Sequence, residues 1–277
     1  LYGIILPFRS LSSMKKYQKI VVDNKLPLQK FSEDLCALVK EKVEKTYANT
    51  HVELAMRYGD HNISSVLERL RKIPHHQLII VPLFPQFSAT TSASIFDEAA
   101  RCLKQWNFLP NISFVRDYCN EKSYIQALAN SVKDCWKHHK PGEILLFTYH
   151  GLPELNHVNG DPYACYCFKT TRLVIEMLGL HANQYKTVFQ SRFGPSRWLQ
   201  PYTEDTIVNL AKDGIKTIDV IAPSFAVDCL ETIDEIGREY EEVFQQHGGK
   251  TLRYIPALNA SEASAEILSG VIDKAVK

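Results

Sequence analysis

A run of four apolar residues, Ile144-Leu-Leu-Phe147, sets the strongest limit on the fold. It is closed off upstream by Pro141-Gly142 and leads into Thr-Tyr-His150-Gly-Leu-Pro153. An unbroken apolar stretch of this length, punctuated at its start, reads as a strand buried on both faces, as in a parallel sheet. In open α/β sheets ligands bind at the carboxyl ends of the strands, so His150 is delivered where chemistry is done. A second stretch, Pro223-Ser-Phe-Ala-Val-Asp-Cys-Leu-Glu-Thr232, repeats the arrangement with acids in place of the imidazole.

The rest of the chain alternates in the same sense. Strands are predicted over 51–58, 77–84, 112–115, from 144, and over 186–190, 217–222 and 251–256. Helices are predicted over 64–72, 94–106, 124–138, 169–178, 205–212, 228–246 and 261–275, the last opened by a capping pattern at Asn259/Ser261 and Glu262. Strands alternating with helices of this length predict parallel sheets with crossovers on both faces. Ile80-Val-Pro-Leu-Phe-Pro-Gln-Phe-Ser88 resembles Ile221-Ala-Pro-Ser-Phe-Ala-Val-Asp228, and each leads into a helix, which suggests two similar βα halves. Ahead of them a helix is predicted over 31–47. Residues 4–17 place Ile4, Ile5, Phe8, Leu11, Met14 and Tyr17 among Arg9, Lys15 and Lys16 at roughly helical spacing. That is either a packed helix or a lip over an apolar, carboxylate-bearing ligand or a membrane surface.

Composition removes several classes of function. The 277 residues are 45% hydrophobic and 23% charged with formal net charge +1, so no global field draws the chain to nucleic acid. Seven dispersed cysteines form no disulfide-type pattern and suggest a reducing compartment. No apolar run approaches the roughly 20 residues of a membrane span. The opening stretch has too short an apolar core, and no basic segment before it, for a secretory signal. Gly-x-Gly-x-x-Gly, the P-loop, Gly-x-Ser-x-Gly and His-Glu-x-x-His are all absent, and Cys165-Tyr-Cys167 is too closely spaced to hold a metal alone.

Glu231, Glu235, Glu239 and Glu242 recur every three or four residues, a single stripe of like charge on the predicted helix over 228–246. Such a row costs a few tenths of a kcal/mol per pair. It is either a solvated face relieved by Arg238 or a path along which hard carboxylates pass a divalent cation.

Six blocks then converge. Phe84-Pro-Gln-Phe-Ser-Ala-Thr-Thr91, Phe147-Thr-Tyr-His-Gly-Leu-Pro153, Gly160-Asp-Pro-Tyr163, Phe189-Gln-Ser-Arg-Phe-Gly194, Trp198-Leu-x-Pro-Tyr202 and Phe225-Ala-Val-Asp-Cys-Leu-Glu-Thr232 resemble the ferrochelatases in content and order, and span nearly the whole chain. The likeness is to the Gram-negative bacterial branch.

The resemblance implies a class II chelatase fold of two flavodoxin-like domains with parallel sheets flanked by helices. The first would cover 1–141 and be joined by the C-terminal helix 260–277; the second, 142–259, would carry His150 and Glu231. It implies insertion of ferrous iron into protoporphyrin IX to give protohaem, the terminal step of haem biosynthesis. Removing two pyrrole protons needs a base over the ring face and a bent ring, with the strain supplied by binding energy elsewhere. His150, with an ordinary imidazole pKa near 6.5, suits the first task. Glu231 would face it, sharing the protons or guiding the metal, with Glu235 and Glu239 as the approach row. Phe87, Trp198 and Phe225 would wall the macrocycle. Ser88, Thr91 and Ser94 would line the pocket or meet propionates, with which Arg9 or Arg116 could pair.

The family's opening strand and Asn-Leu-Gly-x-Pro-type loop have no counterpart after Leu1, so the first sheet is expected to lack its opening strand. Asn24-Lys-Leu-Pro27 replaces the usual Gly-Ser-Pro, and Cys229 stands where many relatives carry His. No tightly bound cofactor and no iron–sulfur cluster are expected. The chain is expected to be a cytoplasmic monomer in peripheral contact with the inner membrane, with no nucleic-acid partner. Two rivals are a cobalt or nickel chelatase of another tetrapyrrole, and a porphyrin- or haem-binding protein without turnover.

Overall fold

The structure is a computed structural model that describes residues 25–59 and 61–276. The predicted helix at 4–17 and Arg9 lie outside the described residues. Helix α1 (Pro27–Thr46) opens on a proline, whose missing N–H is no loss in a first turn. It buries Leu35, Val39 and Val43 at four-residue spacing. Helix α2 (Ile63–Leu70) is capped by Asn62, whose side chain accepts from the Ser65 N–H at 2.9 Å.

The first half continues as β1 (Gln77–Ile80), α3 (Ser92–Leu103), β2 (Asn111–Phe114) and α4 (Lys122–His138). The second half is β3 (Ile144–His150), a short helix α5 (Glu154–Val158), α6 (Tyr163–Leu178), β4 (Tyr185–Gln190), α7 (Thr203–Lys212) and β5 (Thr217–Ile221). A π-helix (Glu231–Glu239), α8 (Tyr240–Gln246), β6 (Thr251–Ile255) and α9 (Glu262–Val276) complete it. Among the described residues β1 and β2 form one parallel sheet, and β4-β3-β5-β6 form a second, also parallel. The expected α/β architecture is therefore present.

Three sequence expectations need correction. Residues 51–58 form no strand; Met56 makes one bridge to Asn62, and no neighbouring strand among the described residues takes up the remaining backbone groups. The strand expected over 77–84 stops at Ile80, because Pro82 and Pro85 cannot donate to a ladder. The helix expected over 228–246 is wound differently over Glu231–Glu239: the Tyr240 N–H donates to the Glu235 carbonyl, five residues back, not four.

Strand β3 lies at the centre, buried from Ile144 to Tyr149. The largest core joins the halves: Leu35 and Val39 of α1 and Leu128 and Val132 of α4 pack in one cluster with Leu145, Phe147 and Tyr149 of β3. Helix α9 returns to the first half. There its Ala275 carbonyl accepts from Gln77 at 3.0 Å and from Ser113 at 3.2 Å, its Asp273 accepts from Tyr47 at 3.0 Å, and its Glu262 pairs with Lys42 of α1.

Candidate active site

Parallel strands point all their carboxyl ends one way, and the site is built at that end of the second sheet. His150 closes β3 and stands in register with Gln190, the last residue of β4. The side chain of Gln190 crosses to the π-helix, where its Nε2 donates to the Glu231 carbonyl at 3.1 Å. Its Oε1 is held by Thr148, whose hydroxyl also meets Thr203 at 2.8 Å. Thr148, Gln190 and Thr203 are all buried, so this short polar chain rigidly ties the strand carrying His150 to the helix carrying Glu231. No sequence signal marked Gln190 for this role beyond its place in the Phe189-Gln-Ser-Arg block.

The imidazole of His150 is half-buried, and its Nδ1 lies 2.7 Å from the Gly151 carbonyl. A carbonyl can only accept, so Nδ1 carries the hydrogen, and in the neutral ring Nε2 is the nitrogen with the lone pair. Gly151 is required by space. A Cβ there would fall 2.7 Å from the Gln190 carbonyl and 3.2 Å from Cε3 of Trp198. Trp198 thus rests against the turn that follows His150, and Pro153 bridges to it. Its indole N–H is buried with no hydrogen-bond partner.

The π-helix is anchored at its start by Asp228, a buried carboxylate held by neutral donors. Thr232 donates to it at 2.8 Å, Tyr254 at 2.6 Å and Asn259 at 2.7 Å. Cys229 is buried beside it, and burial first, then the charge of Glu231, pushes its thiol pKa up, so it stays protonated. Glu231 is half-buried at the first turn. Glu235 accepts from Ser191 at 2.8 Å and from Tyr240 at 2.7 Å. Burial and then this carboxylate drive the Tyr240 phenol pKa upward. Glu239 is paired with Arg238, which also grips Asp234 and Glu242. The acidic row therefore has its repulsion relieved at the far end.

Among the described residues no three His, Cys, Asp or Glu side chains converge as a metal cage would require. His150, Glu231, Glu235 and Glu239 are not gathered at one point. The last three are strung along a helix.

The turn after β1 places Phe87, half-buried, with Thr91 and Ser94 beyond it. Ser88 is fully buried, with its hydroxyl donated to Asp161 at 2.8 Å. Ser94 donates to the Thr91 carbonyl within its own turn. Arg116 follows β2, exposed and ion-paired with Asp117 at 2.7 Å. Phe225 is half-buried in the loop after β5 and packs on the core of the second half.

Two parallel sheets, with an imidazole and a carboxylate-bearing π-helix tied together at one strand end, make an α/β protein with the fold of a solved sirohydrochlorin chelatase. SirB from Bacillus subtilis, solved with Fe3+, superposes with a TM-score of 0.67 at 14% identity, covering 91% of this chain and 92% of that one, so the two share a fold. The ferrochelatase family model matches residues 1–276, and the chain belongs to that family. It is 41% identical over 273 residues to "Ferrochelatase 2" of Shewanella oneidensis, covering 98% of this chain and 83% of that protein. It is 41% identical over 272 residues to the ferrochelatase of Vibrio cholerae, with the same coverage.

Proposed function

We propose that this protein inserts ferrous iron into protoporphyrin IX, giving protohaem and releasing two protons. The observation that carries the reading is the Nδ1 contact of His150 to the Gly151 carbonyl at the carboxyl end of β3, which leaves Nε2 as the ring nitrogen to accept a proton in a member of the ferrochelatase family. A pyrrole N–H is too weak an acid to lose its proton unaided, and an imidazole acceptor over the ring face lowers that barrier. Glu231, tied through Gln190 to the same strand end, takes the second proton or hands over the incoming ion. Glu235 and Glu239 supply hard oxygen donors along the approach. Phe87, Trp198 and Phe225 wall the macrocycle, and Arg116 pairs with a propionate.

The halves divide as 1–141 with 260–277, and 142–259. The two separate sheets and the return of α9 to α1 support that division. The reading asks for no resident cofactor, because one divalent ion is exchanged for two protons and no electron moves. Among the described residues no helix is long and apolar enough to cross a membrane. Peripheral contact suits a substrate and product that partition into lipid. A cobalt or nickel chelatase of another tetrapyrrole is disfavoured by the 41% identity to ferrochelatases, against 14% to the chelatase that shares the fold.

The test is iron insertion into protoporphyrin IX, followed by absorbance under anaerobic conditions, for the wild type and His150→Ala. Turnover in the wild type and its loss in the variant are expected. Porphyrin binding without turnover in both would instead mark a carrier.

A further inference from the structure

Asp161 sits between α5 and α6 and is nine-tenths buried, at 8% exposure. Its Oδ2 accepts from the Ser88 hydroxyl at 2.8 Å and from the Ala89 N–H at 2.8 Å, while Oδ1 accepts from the Tyr163 N–H at 3.0 Å. Among the described residues it has no cationic partner. Three donors surround it, and its carboxylate satisfies all three at once.

The two ends of this contact belong to different halves. Ser88 is the pivot of the turn after β1: its hydroxyl accepts from the Thr90 N–H at 3.1 Å, and its carbonyl accepts from the N–H groups of Thr91 and Ala93. That turn carries Phe87 and Thr91. Asp161 follows α5, which begins four residues after His150, and its own N–H is held by the Asn156 carbonyl at 3.0 Å. A second link runs parallel, from Gln86 to Thr170 at 3.1 Å and from Thr170 to the Cys119 carbonyl at 3.0 Å.

We infer that Asp161 is a positioning residue that clasps the 87–91 turn of the first half to the His150 side of the second, and so sets the spacing of the porphyrin cleft. The inference rests on the function proposed above. It assigns Ser88 to the clasp instead of the substrate.

The full chain is titrated with protoporphyrin IX by fluorescence, and zinc insertion is timed, for the wild type, Asp161→Ala, Asp161→Asn, Ser88→Ala and His150→Ala. Asp161→Ala frees the turn and is expected to raise the porphyrin dissociation constant about tenfold or more, with the KM for zinc unchanged. Asp161→Asn retains one oxygen that can serve both Ser88 and Ala89 but sets its NH2 against the Tyr163 N–H, so affinity returns only part of the way to the wild type. Ser88→Ala removes one bond of the clasp and falls between them. It keeps the test valid if Asp161→Ala does not fold. Porphyrin affinity within twofold of the wild type in Asp161→Ala, or in Ser88→Ala where that is the only folded variant, overturns the clasp, as does an Asn variant as weak as Ala. His150→Ala is expected to bind porphyrin normally and insert no metal. If it inserts zinc at the wild-type rate, the proposed function of His150 fails while the clasp is judged on affinity alone.

Discussion

Replacing Gly151 by alanine puts one methyl group into the tightest place beside His150. The new Cβ would lie 2.7 Å from the Gln190 carbonyl oxygen and 3.2 Å from Cε3 of Trp198, whereas ordinary contact begins at 3.4 Å. The strand end must therefore open by about 0.7 Å, the difference between 3.4 and 2.7. The Gly151 N–H to Gln190 carbonyl bond, now 2.8 Å, stretches with it. Overpacking of this kind costs about 1–3 kcal/mol. A shift of about 1 Å near reacting groups costs on the order of 100-fold in rate, so a displacement somewhat smaller than that should cost about 10- to 100-fold. The closer obstacle is backbone, which cannot swing aside, so trimming Trp198 to leucine in the Gly151→Ala background should not restore activity. The assay is zinc insertion into protoporphyrin, read as loss of free-base fluorescence, with thermal unfolding alongside. Gly270→Ala is the control: it lies in α9 with open space around it, and should keep full activity while gaining up to about 1 kcal/mol. A Gly151→Ala protein within twofold of wild-type rate would refute the reasoning.

The opposite end of the second sheet should govern stability without touching turnover. Asp219 is fully buried, pairs with Arg253 at 2.5 Å and accepts from the Trp136 indole at 2.6 Å and the Gly142 N–H at 2.8 Å. Asp219→Ala leaves those partners unmatched and should cost about 3–5 kcal/mol, a melting temperature lower by about 10 °C, with kcat unchanged well below the melt. Alkali should also unfold the chain steeply. Burial holds the phenol pKa values of Tyr124, Tyr149 and Tyr163 well above the ordinary 10.0, so their contribution is full below pH 10 and declines above it as the unfolded chain ionises first. Each contributes about 1.4 kcal/mol per pH unit, so urea midpoints should fall steeply beyond pH 10, and Tyr149→Phe should flatten the slope by one such increment. A flat profile to pH 11 would contradict this.

The strands at 144, 186, 217 and 251 were legible because each is a short stretch of apolar, β-branched or aromatic residues. Residues 51–58 read equally well as a strand, but a strand is a pairing and not a property of one segment. The π-helix was invisible to periodicity: carboxylates four apart suit an α-helix as readily, and the shift to five-residue bonding shows only in the backbone. His150 and Glu231 stood out by chemistry. The Ser88 contact with Asp161 could not be read from its block, because the two lie 73 positions apart and meet only through how the halves pack. Gln190 escaped notice for the same reason: its contacts with Thr148 and Glu231 join elements more than 40 positions apart along the chain.

An imidazole at the end of β3 and a carboxylate on the π-helix after β5 are held to act on a single bound ring. A double-mutant cycle on the iron insertion rate, using His150→Ala, Glu231→Gln and the pair, tests this directly. Groups that act as a unit give a double variant little slower than the worse single one. Rate losses that simply multiply, or a His150→Ala enzyme that still metallates protoporphyrin at the wild-type rate, would contradict the account.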